Sequence, residues 1–298
     1  MKSKSDLEMV GKMLGNKEVL ITVLQPNGYS HVHAFDEVII SLFHGLSARG
    51  VSPRVTTNEI SLVSPTIVFG WHLLPPEVIR SLPKTVIIYN LEQLYSGSPM
   101  VSLSQIDSLV DHRVWDYSAS NCRKLVEIGC SVAHVPFGYV KELERVIDAP
   151  EHPIDVLFYG SLTPRRVKVL DDLTRQGIVV SRVFNCYGRQ RDELIARSKI
   201  VLNIHNHPSS ILETPRVGYL LANKRLVVSE RDAATEVPAE YEGVVAFAKY
   251  GEIVQRCVDL LDDAESRYAI SREGYTRFVS HEMSSYLERG MQFIEEQL

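Results

Sequence analysis

Cysteines are few in this chain, and long apolar runs are missing. The four cysteines, at positions 122, 130, 186 and 257, form no CxxC pair and no metal-binding spacing, so we expect reduced thiols rather than a disulfide framework. No stretch approaches the roughly 20 apolar residues of a membrane-spanning helix. The opening sequence MKSKSDLEMVGKMLGNK also lacks the apolar core of a signal peptide, so a cytoplasmic protein is expected.

Basic charge is not in excess either, because 32 Lys and Arg stand against 37 Asp and Glu, for a net charge of −5. A dedicated nucleic-acid-binding protein usually has a basic face, so a DNA partner is disfavoured. No GxGxxG follows any predicted strand, which disfavours a Rossmann dehydrogenase. With 45% hydrophobic and 23% charged residues, the chain can bury the core of one large or two medium domains.

Short apolar runs alternate with amphipathic stretches along the whole chain. Runs such as EVLITVL at 18–24 and DVLFY at 155–159 are typical of strands that are buried on both faces of a parallel sheet. Stretches such as 34–49 and 165–176 have the periodicity of amphipathic helices, and each is followed by a glycine that favours a helix end. The sequence therefore predicts an α/β protein with parallel sheets.

A charged segment, residues 141–153, interrupts this pattern, after which strands and helices alternate again. We interpret it as a linker between Rossmann-like domains at 1–145 and 146–298. Helical periodicity covers 250–263 and 265–297, and the last helix is a candidate to pack back on the first domain. Two such domains are expected to face a central cleft lined by the carboxyl ends of their strands, where open α/β proteins bind ligands.

The segment 200–230 carries the clearest signal for a ligand. A strand-like run at 200–204 breaks into a polar turn that includes His205 and His207, and Glu213 stands just before a helix-like run. Backbone N–H groups at the start of such a helix favour phosphate, and a carboxylate there can accept hydrogen bonds from ribose hydroxyls. The segment therefore predicts a nucleotide-sugar site.

A second polar turn, GSLTPRRVK, follows the strand DVLFY. Gly160 would let the backbone approach a ligand closely, and Arg165 and Arg166 open the next helix, where arginine pairs well with phosphate. The alternative is a solvated helix face with ordinary basic residues.

His205 and His207 also form an HxH pair, but no third and fourth ligands are evident nearby, which disfavours a metal site.

The second half resembles the C-terminal domain of two-domain glycosyltransferases of the GT-B type, in the large group-one class. The likeness rests on DVLFYGSLTPRR, ARSKIVLNIH and ILETPRVGYLLANKRLVVSE and covers most of residues 155–284; the first half resembles the acceptor domain more loosely, through QPNGYSHVHAFDEV and VIIYNLEQL. The resemblance implies the GT-B fold and transfer of a sugar from a nucleotide-diphosphate donor to a hydroxyl acceptor. It implies no cofactor and no metal, since basic side chains and a helix dipole take the metal's role.

On this resemblance the donor is bound by the second half. In similar enzymes a basic residue near Arg165 and Arg166 neutralises the diphosphate, and a glutamate at the position of Glu213 contacts the ribose. The sequence departs from the family pattern because Asn206, seven residues before Glu213, stands where a further glutamate is usual. The predicted donor-binding residues are Gly160, Ser161, Arg165, Arg166, His205, His207, Glu213, Thr214 and Arg216.

The loop after the first strand carries residues that could act as the general base for an acceptor hydroxyl. His31 or His33 could remove a proton from an acceptor hydroxyl, and Asp36, one helical turn after His33, could orient it. Glu92, after the strand TVIIY, is a further catalytic candidate, and a polar helix cap is the alternative role for the histidines. The histidines favour inversion at the sugar carbon and the likeness of the second half favours retention, so both outcomes stay open.

Two rival functions fit the same architecture. A nucleotide-sugar 2-epimerase would use carboxylates and histidines around the sugar, and a non-catalytic subunit would bind a nucleotide sugar for a partner transferase. The chain is short for this architecture and lacks one family glutamate, which keeps the second rival open. As acceptor we expect a glycan, a lipid-linked glycan or a small molecule rather than protein or DNA, and a homodimer is left open.

Overall fold

Two compact units make up the computed structural model, which describes residues 18–26, 29, 31–95, 100–206 and 211–295. The first unit extends to Val140 and also takes in the chain from Glu282 onward, and the second comprises Lys141–His281. Each unit is built on one sheet in which every strand pair is parallel. The prediction of two Rossmann-like α/β domains is confirmed.

Six strands form the sheet of the first unit, in the order β2-β1-β3-β4-β5-β6. The central strands are buried along their whole length because apolar side chains point to both faces. The first strand in the order lies at the edge and is mostly exposed. The strands are β1 (Glu18–Val23), β2 (Ser52–Thr57), β3 (Thr66–Phe69), β4 (Val86–Asn90), β5 (Arg113–Asp116) and β6 (Ser131–His134).

Four helices of the first unit lie between these strands: α1 (Asp36–Ala48), α2 (Pro76–Ser81), α3 (Leu103–Asp107) and α4 (Ala119–Glu127). Short 3₁₀ turns precede α1 at His31–Phe35 and follow β3 at Trp71–Leu73. Phe35 at the start of α1 packs near Phe69 at the end of β3, with ring centroids 5.8 Å apart. The loop after β1 is thereby fixed to the neighbouring strand.

The second unit has five strands in the order β11-β10-β9-β7-β8. Its core is formed by apolar residues of the strands and of the helices beside them, among them Phe158, Leu170, Leu202 and Cys257. The strands are β7 (Ile154–Tyr159), β8 (Val180–Val183), β9 (Ser198–Asn203), β10 (Val227–Glu230) and β11 (Ala246–Ala248), and the helices are α5 (Pro164–Arg175), α6 (Gly188–Ala196), α7 (Thr214–Ala222), α8 (Ile253–Asp262) and α9 (Ala264–Val279).

The long C-terminal helix predicted over 265–297 is wrong as a single element, because the chain breaks after α9 and resumes as α10 (Met283–Glu295). At the break, Met283 N–H donates to the Tyr139 carbonyl, and Glu282 forms a bridge with Tyr139. The helix α10 belongs to the first unit, where it packs against α1. A main-chain hydrogen bond that helix periodicity does not report therefore sets where α9 ends.

The segment 141–153, interpreted from the sequence as a linker, lies in the second unit. The buried side chain of Asn223, just after α7, holds it. Asn223 Oδ1 accepts hydrogen bonds from the N–H groups of Arg145 and Val146, both at 2.9 Å, and Asn223 Nδ2 donates to the Leu143 carbonyl. The charged segment is therefore fixed to the end of a core helix.

In each sheet, the second strand along the chain pairs with one side of the first strand, and the third strand pairs with its other side. In the first, β2 lies on one side of β1 and β3 on the other; in the second, β8 and β9 flank β7 in the same way. Two loops diverge at the carboxyl end of the sheet at such a point, and the space between them is where doubly wound proteins bind ligands. In the second unit, these are the loops that begin at Gly160 and Ile204.

The four cysteines are free, and Cys130 and Cys257 are buried. Of the helices in the described part of the chain, none combines the length and apolar character required to cross a bilayer.

Packing of α10 on the first unit can be tested at Gly290. A Cβ atom at Gly290 would lie 2.9 Å from Cε2 and Cζ2 of the buried Trp115 ring. We expect Gly290→Val to lower the free energy of unfolding by about 2 kcal/mol in urea titrations, since overpacking a rigid core is destabilising. Gly251→Val is the matched control, because nothing lies within 4 Å of a Cβ there. Equal stability of the two variants would contradict this packing.

Candidate active site

Gly160, the first residue after β7, brings the backbone close to an arginine of α7. Its φ is +143°, which side chains other than glycine rarely adopt, and a Cβ atom here would lie 3.3 Å from Arg216 Nη2. The Arg216 guanidinium lies over the Tyr159 ring, 4.8 Å from its centroid. Arg216 Nη1 is buried and has no hydrogen-bond partner in the described part of the chain. A cation with an unsatisfied donor therefore lies beside the turn after β7.

Arg166, in the first turn of α5, is buried, with 3% of its surface exposed. Its Nε and Nη2 donate to the Ile204 carbonyl at the end of β9, and Nη1 donates to the Ser161 carbonyl. These three hydrogen bonds join the loops that diverge from β7 and β9. The guanidinium also lies 3.7 Å from the Glu213 carboxylate.

Arg165 faces the end of β10 and forms a bidentate ion pair with the buried Glu230 carboxylate. Glu230 also accepts a hydrogen bond from the His205 N–H at 3.1 Å. One face of the Arg165 guanidinium stacks on the Tyr250 ring, with the guanidinium carbon 3.8 Å from the ring centroid. The Tyr250 hydroxyl donates a hydrogen bond to the Arg165 carbonyl. Glu230 and Tyr250 thus hold the Arg165 guanidinium at the end of β10, and its role in donor binding stays a prediction.

Glu213 precedes α7 and lies between two guanidiniums, 3.2 Å from Arg216 and 3.7 Å from Arg166. Burial alone would raise the pKa of Glu213, but Arg216 and Arg166 outweigh it, so the pKa lies below its ordinary value. Burial lowers the pKa of Arg166 to about 10, and the nearby charges of Arg216 and Arg165 act in the same direction. An incoming anion would relieve this like-charge repulsion.

Three arginines and two glutamates therefore meet at the carboxyl edge of the second sheet, which leaves one positive charge in excess. Two further polar side chains are buried beside them without hydrogen-bond partners among the described residues. Both ring nitrogens of His205 and the hydroxyl of Thr214 are unsatisfied. Buried polar groups are normally hydrogen-bonded, so these atoms mark a place where a polar ligand or solvent completes the structure.

The structure brings together most of the residues predicted to bind the donor. Gly160, Ser161 and Arg166 lie at the turn after β7, and Glu213, Thr214 and Arg216 lie at the start of α7. His207 lies outside the described residues. The sequence analysis missed Glu230 and Tyr250; the position of Glu230 directly at the end of a buried strand was the available signal for the former.

The catalytic residues predicted in the first unit lie in two places along the carboxyl edge of its sheet. After β1, His33 Nδ1 lies 3.1 Å from Asp36 Oδ2, and the His31 ring is edge-on to Tyr29 at 5.5 Å. After β4, Glu92 Oε1 lies 3.4 Å from Nδ1 of the buried His72. Since β3 separates β1 from β4, the structure places Glu92 on a different loop from the histidine pair.

A buried polar network underlies the Glu92 loop. Asp116, at the end of β5, accepts hydrogen bonds from the Asn90 and Asn121 side chains and from the Ser118 N–H. Asn90 Oδ1 in turn accepts from the Trp71 indole, while both amide side chains donate to the Glu92 carbonyl. The network fixes the loops after β3, β4 and β5 to one another without using the Glu92 side chain.

Among the described residues, no three His, Cys, Asp or Glu side chains are grouped as metal ligands would be. The absence of a metal requirement stays a prediction.

No family model matches. An uncharacterized protein of Acanthamoeba polyphaga mimivirus is 26% identical over 225 residues, which cover 72% of this chain and 78% of that protein. Anabaena HepE in complex with UDP and glucose superposes with a TM-score of 0.61 at 11% identity, covering 94% of this chain and 100% of HepE. WaaG, a glycosyltransferase involved in lipopolysaccharide biosynthesis, has a TM-score of 0.59 at 9% identity, covering 93% and 99% of the two chains.

The chain has the GT-B fold. At this level of identity the two structural neighbours establish the architecture, and the chemistry of the chain has to be argued from its own residues. The GT-B assignment made from the sequence motifs is thereby confirmed.

The Arg165–Glu230 pair generates a stability prediction. Arg165→Met leaves the buried Glu230 carboxylate without its main partner, so we expect the free energy of unfolding to fall by about 3 kcal/mol. Adding Glu230→Met should recover most of this loss, because an apolar pair of similar volume replaces the ion pair. Arg189→Met, on an exposed side chain of α6, is the control. Urea titrations measure all four proteins, and an Arg165→Met variant as stable as wild type would contradict the structural role.

Asp116 generates a pH prediction. Burial raises the pKa of its carboxyl to about 8, although the N–H donors of Asn90, Ser118 and Asn121 act in the opposite direction. Because the folded pKa lies above the unfolded value of 3.8, the native state binds the extra proton between these limits. The contribution of Asp116 to the free energy of unfolding therefore falls as pH rises through that window. Stability measured from about pH 5 to about pH 8 should decline more steeply for wild type than for Asp116→Asn; parallel curves would contradict the shift.

Proposed function

We propose that the protein is a glycosyltransferase that takes a sugar from a nucleotide-diphosphate donor and transfers it to a hydroxyl acceptor. The observation that carries the proposal is the cluster of Arg166, Arg216 and Glu213 at the switch point of the second sheet. It supplies two cations for a diphosphate and a carboxylate for ribose hydroxyls, which is the set of groups that such a donor needs. The GT-B fold, which HepE also has, supports the same assignment.

The arginines have different roles in this proposal. Arg216 has a buried Nη1 without a partner among the described residues, and its guanidinium occupies the space that a side chain at position 160 would take. We assign it the main contact to the diphosphate. Arg166 adds charge from a fixed position, since its hydrogen bonds to Ile204 and Ser161 hold it in place. Arg165 keeps the end of β10 attached to α5 through Glu230 and Tyr250.

Charge development explains why this arrangement would accelerate transfer. The bond between the anomeric carbon and the donor phosphate oxygen breaks, the diphosphate leaves with the electron pair, and the acceptor oxygen forms the new bond and loses its proton. Negative charge therefore grows on the diphosphate, and preorganised guanidiniums stabilise it without having to reorient. For the acceptor proton we propose His33, which Asp36 orients, with His31 and Glu92 as the other candidates.

Metal independence follows as part of the proposal, because guanidiniums would replace the divalent cation at the leaving group. As acceptor class we propose a glycan, a lipid-linked glycan or a small molecule.

A direct test incubates the protein with UDP-glucose and other nucleotide sugars, with and without EDTA, and measures nucleoside diphosphate release. Release that requires an added acceptor and persists in EDTA is the expected result. Binding without any release would instead identify a non-catalytic subunit, and recovery of an epimerised sugar would identify an epimerase.

Glu213 generates the sharpest binding prediction. Glu213→Ala removes the proposed ribose contact and also leaves Arg166 and Arg216 without their shared carboxylate. We therefore expect UDP to bind about tenfold to a hundredfold more weakly, since a hydrogen bond to a charged group contributes about 1.5–3 kcal/mol, while inorganic pyrophosphate binds at least as tightly as before. Calorimetric titration measures both ligands.

Two controls separate the roles of these groups. Glu193→Ala removes an exposed carboxylate of α6 and should change neither affinity. Arg216→Gln should weaken both UDP and pyrophosphate, because it removes the cation that both ligands share. Unchanged UDP affinity in Glu213→Ala would remove Glu213 from the proposed site.

A further inference from the structure

The second unit contains a cavity at the opposite edge of its sheet from the arginine cluster. Its volume is about 370 Å³, within the range of small-molecule sites. Ser198 and Lys199, the first residues of β9, line it, together with residues 224–226 before β10. Because β9 has six residues, its two ends are separated by roughly 16 Å. A ligand in this cavity would therefore not contact Arg166 or Glu213.

Cations dominate the wall of the cavity. Four of its residues are Lys or Arg and two are Asp or Glu. Two of the cations are paired, since Lys199 Nζ lies 2.7 Å from Asp155 and Arg225 Nη1 lies 2.8 Å from Asp148. The basic residues are Lys199, Lys224, Arg225 and Arg267, and the acidic residues are Asp148 and Glu151.

Among the described residues, the other two cations, Lys224 and Arg267, form no ion pair with a carboxylate, although Asp155 and Asp263 interact with Arg267 at longer range. Arg267 Nη1 donates to the main-chain oxygens of Leu260 and Leu261 at the end of α8. In the described part of the chain, the ammonium of Lys224 contacts the Tyr275 ring, 4.6 Å from its centroid, and no carboxylate. With Asp155 included, four cations face three carboxylates, so the cavity presents one positive charge in excess.

The buried side chain of Arg225 favours an anion at this edge. Arg225 is buried, with 9% of its surface exposed, and its Nε has no hydrogen-bond partner among the described residues. An unmade hydrogen bond of this kind costs about 1–3 kcal/mol, which an anion could recover by accepting it. Lys224 adopts a φ of +57° at the turn that ends α7, where its N–H donates to the Leu221 carbonyl. Its side chain and that of Lys199 are the exposed cations of the cavity.

Tyr268 of α9 adds an apolar surface to the same wall. Its side chain is 67% exposed, although tyrosine usually buries part of its ring. A sugar ring can pack on such an aromatic face while its phosphate reaches the cations.

We infer that this cavity binds a small sugar phosphate, with the phosphate on Lys224, Arg225 and Arg267 and the sugar on Tyr268. The site is separate from the proposed donor site and does not depend on the proposed function. Since residues 148–152 and α9 form part of the wall, a bound ligand would stabilise the second unit by linkage.

Calorimetric titration of the full chain with ribose 5-phosphate, and separately with inorganic phosphate, tests the inference. Three variants are compared with wild type: Lys224→Glu in the cavity, Arg189→Glu as an exposed charge reversal elsewhere in the second unit, and Arg216→Gln in the donor site. We expect Lys224→Glu to weaken binding of both ligands at the cavity about tenfold or more, and Arg189→Glu to bind them as wild type does. Arg216→Gln should lose only binding at the donor site, so a binding event that persists in this variant belongs to the cavity. Thermal unfolding without ligand confirms that each variant is folded.

Tyr268→Ala tests the sugar contact separately. It should weaken ribose 5-phosphate while leaving the affinity for inorganic phosphate unchanged. The inference is overturned if wild type binds neither ligand at millimolar concentration, or if Arg216→Gln abolishes binding and Lys224→Glu does not, since the phosphate would then occupy the donor site. Equal weakening by Lys224→Glu and Arg189→Glu would also overturn it, because the effect would then reflect net charge alone.

Discussion

The ion pair between Arg165 and Glu230 is the interaction on which the carboxyl edge of the second sheet depends. Glu230 is buried at the end of β10, and it receives both the Arg165 guanidinium and the main-chain N–H of His205. Through this one carboxylate, the start of α5, the end of β9 and the end of β10 are held in a fixed relation. The other two arginines can then remain charged in a partly desolvated place, with Glu213 as their shared counter-ion.

Both units have a switch point in their sheet, but different chemical groups lie there. Both have a sheet that grows in two directions from a central strand, and both place polar loops at the resulting switch point. In the second unit, charged groups fill that place, whereas the first unit uses a network of neutral amides around Asp116. The charged edge suits a phosphate ligand, and the amide network holds the loops after β3, β4 and β5 in a fixed position.

The sequence was sufficient for the parallel sheets and for the turn after β7, because apolar runs and a glycine-arginine turn are local signals. It also placed Glu213 and Arg216 at the start of a helix, where the structure has them. It was insufficient for the ion pair between Arg165 and Glu230, because these residues are 65 positions apart and only tertiary structure joins them. The end of α9 was missed for the same reason, since Tyr139 provides the bond that fixes the chain after it.

The discontinuity of the first unit has a consequence for biogenesis. Its sheet is complete by His134, yet α10, which packs on α1, is the last described helix. During synthesis from the N-terminus, α10 cannot pack against Trp115 and Gly45 until the whole second unit has emerged from the ribosome. Throughout that interval the nascent first unit would expose the surfaces of α1 and β5 that α10 covers in the folded protein.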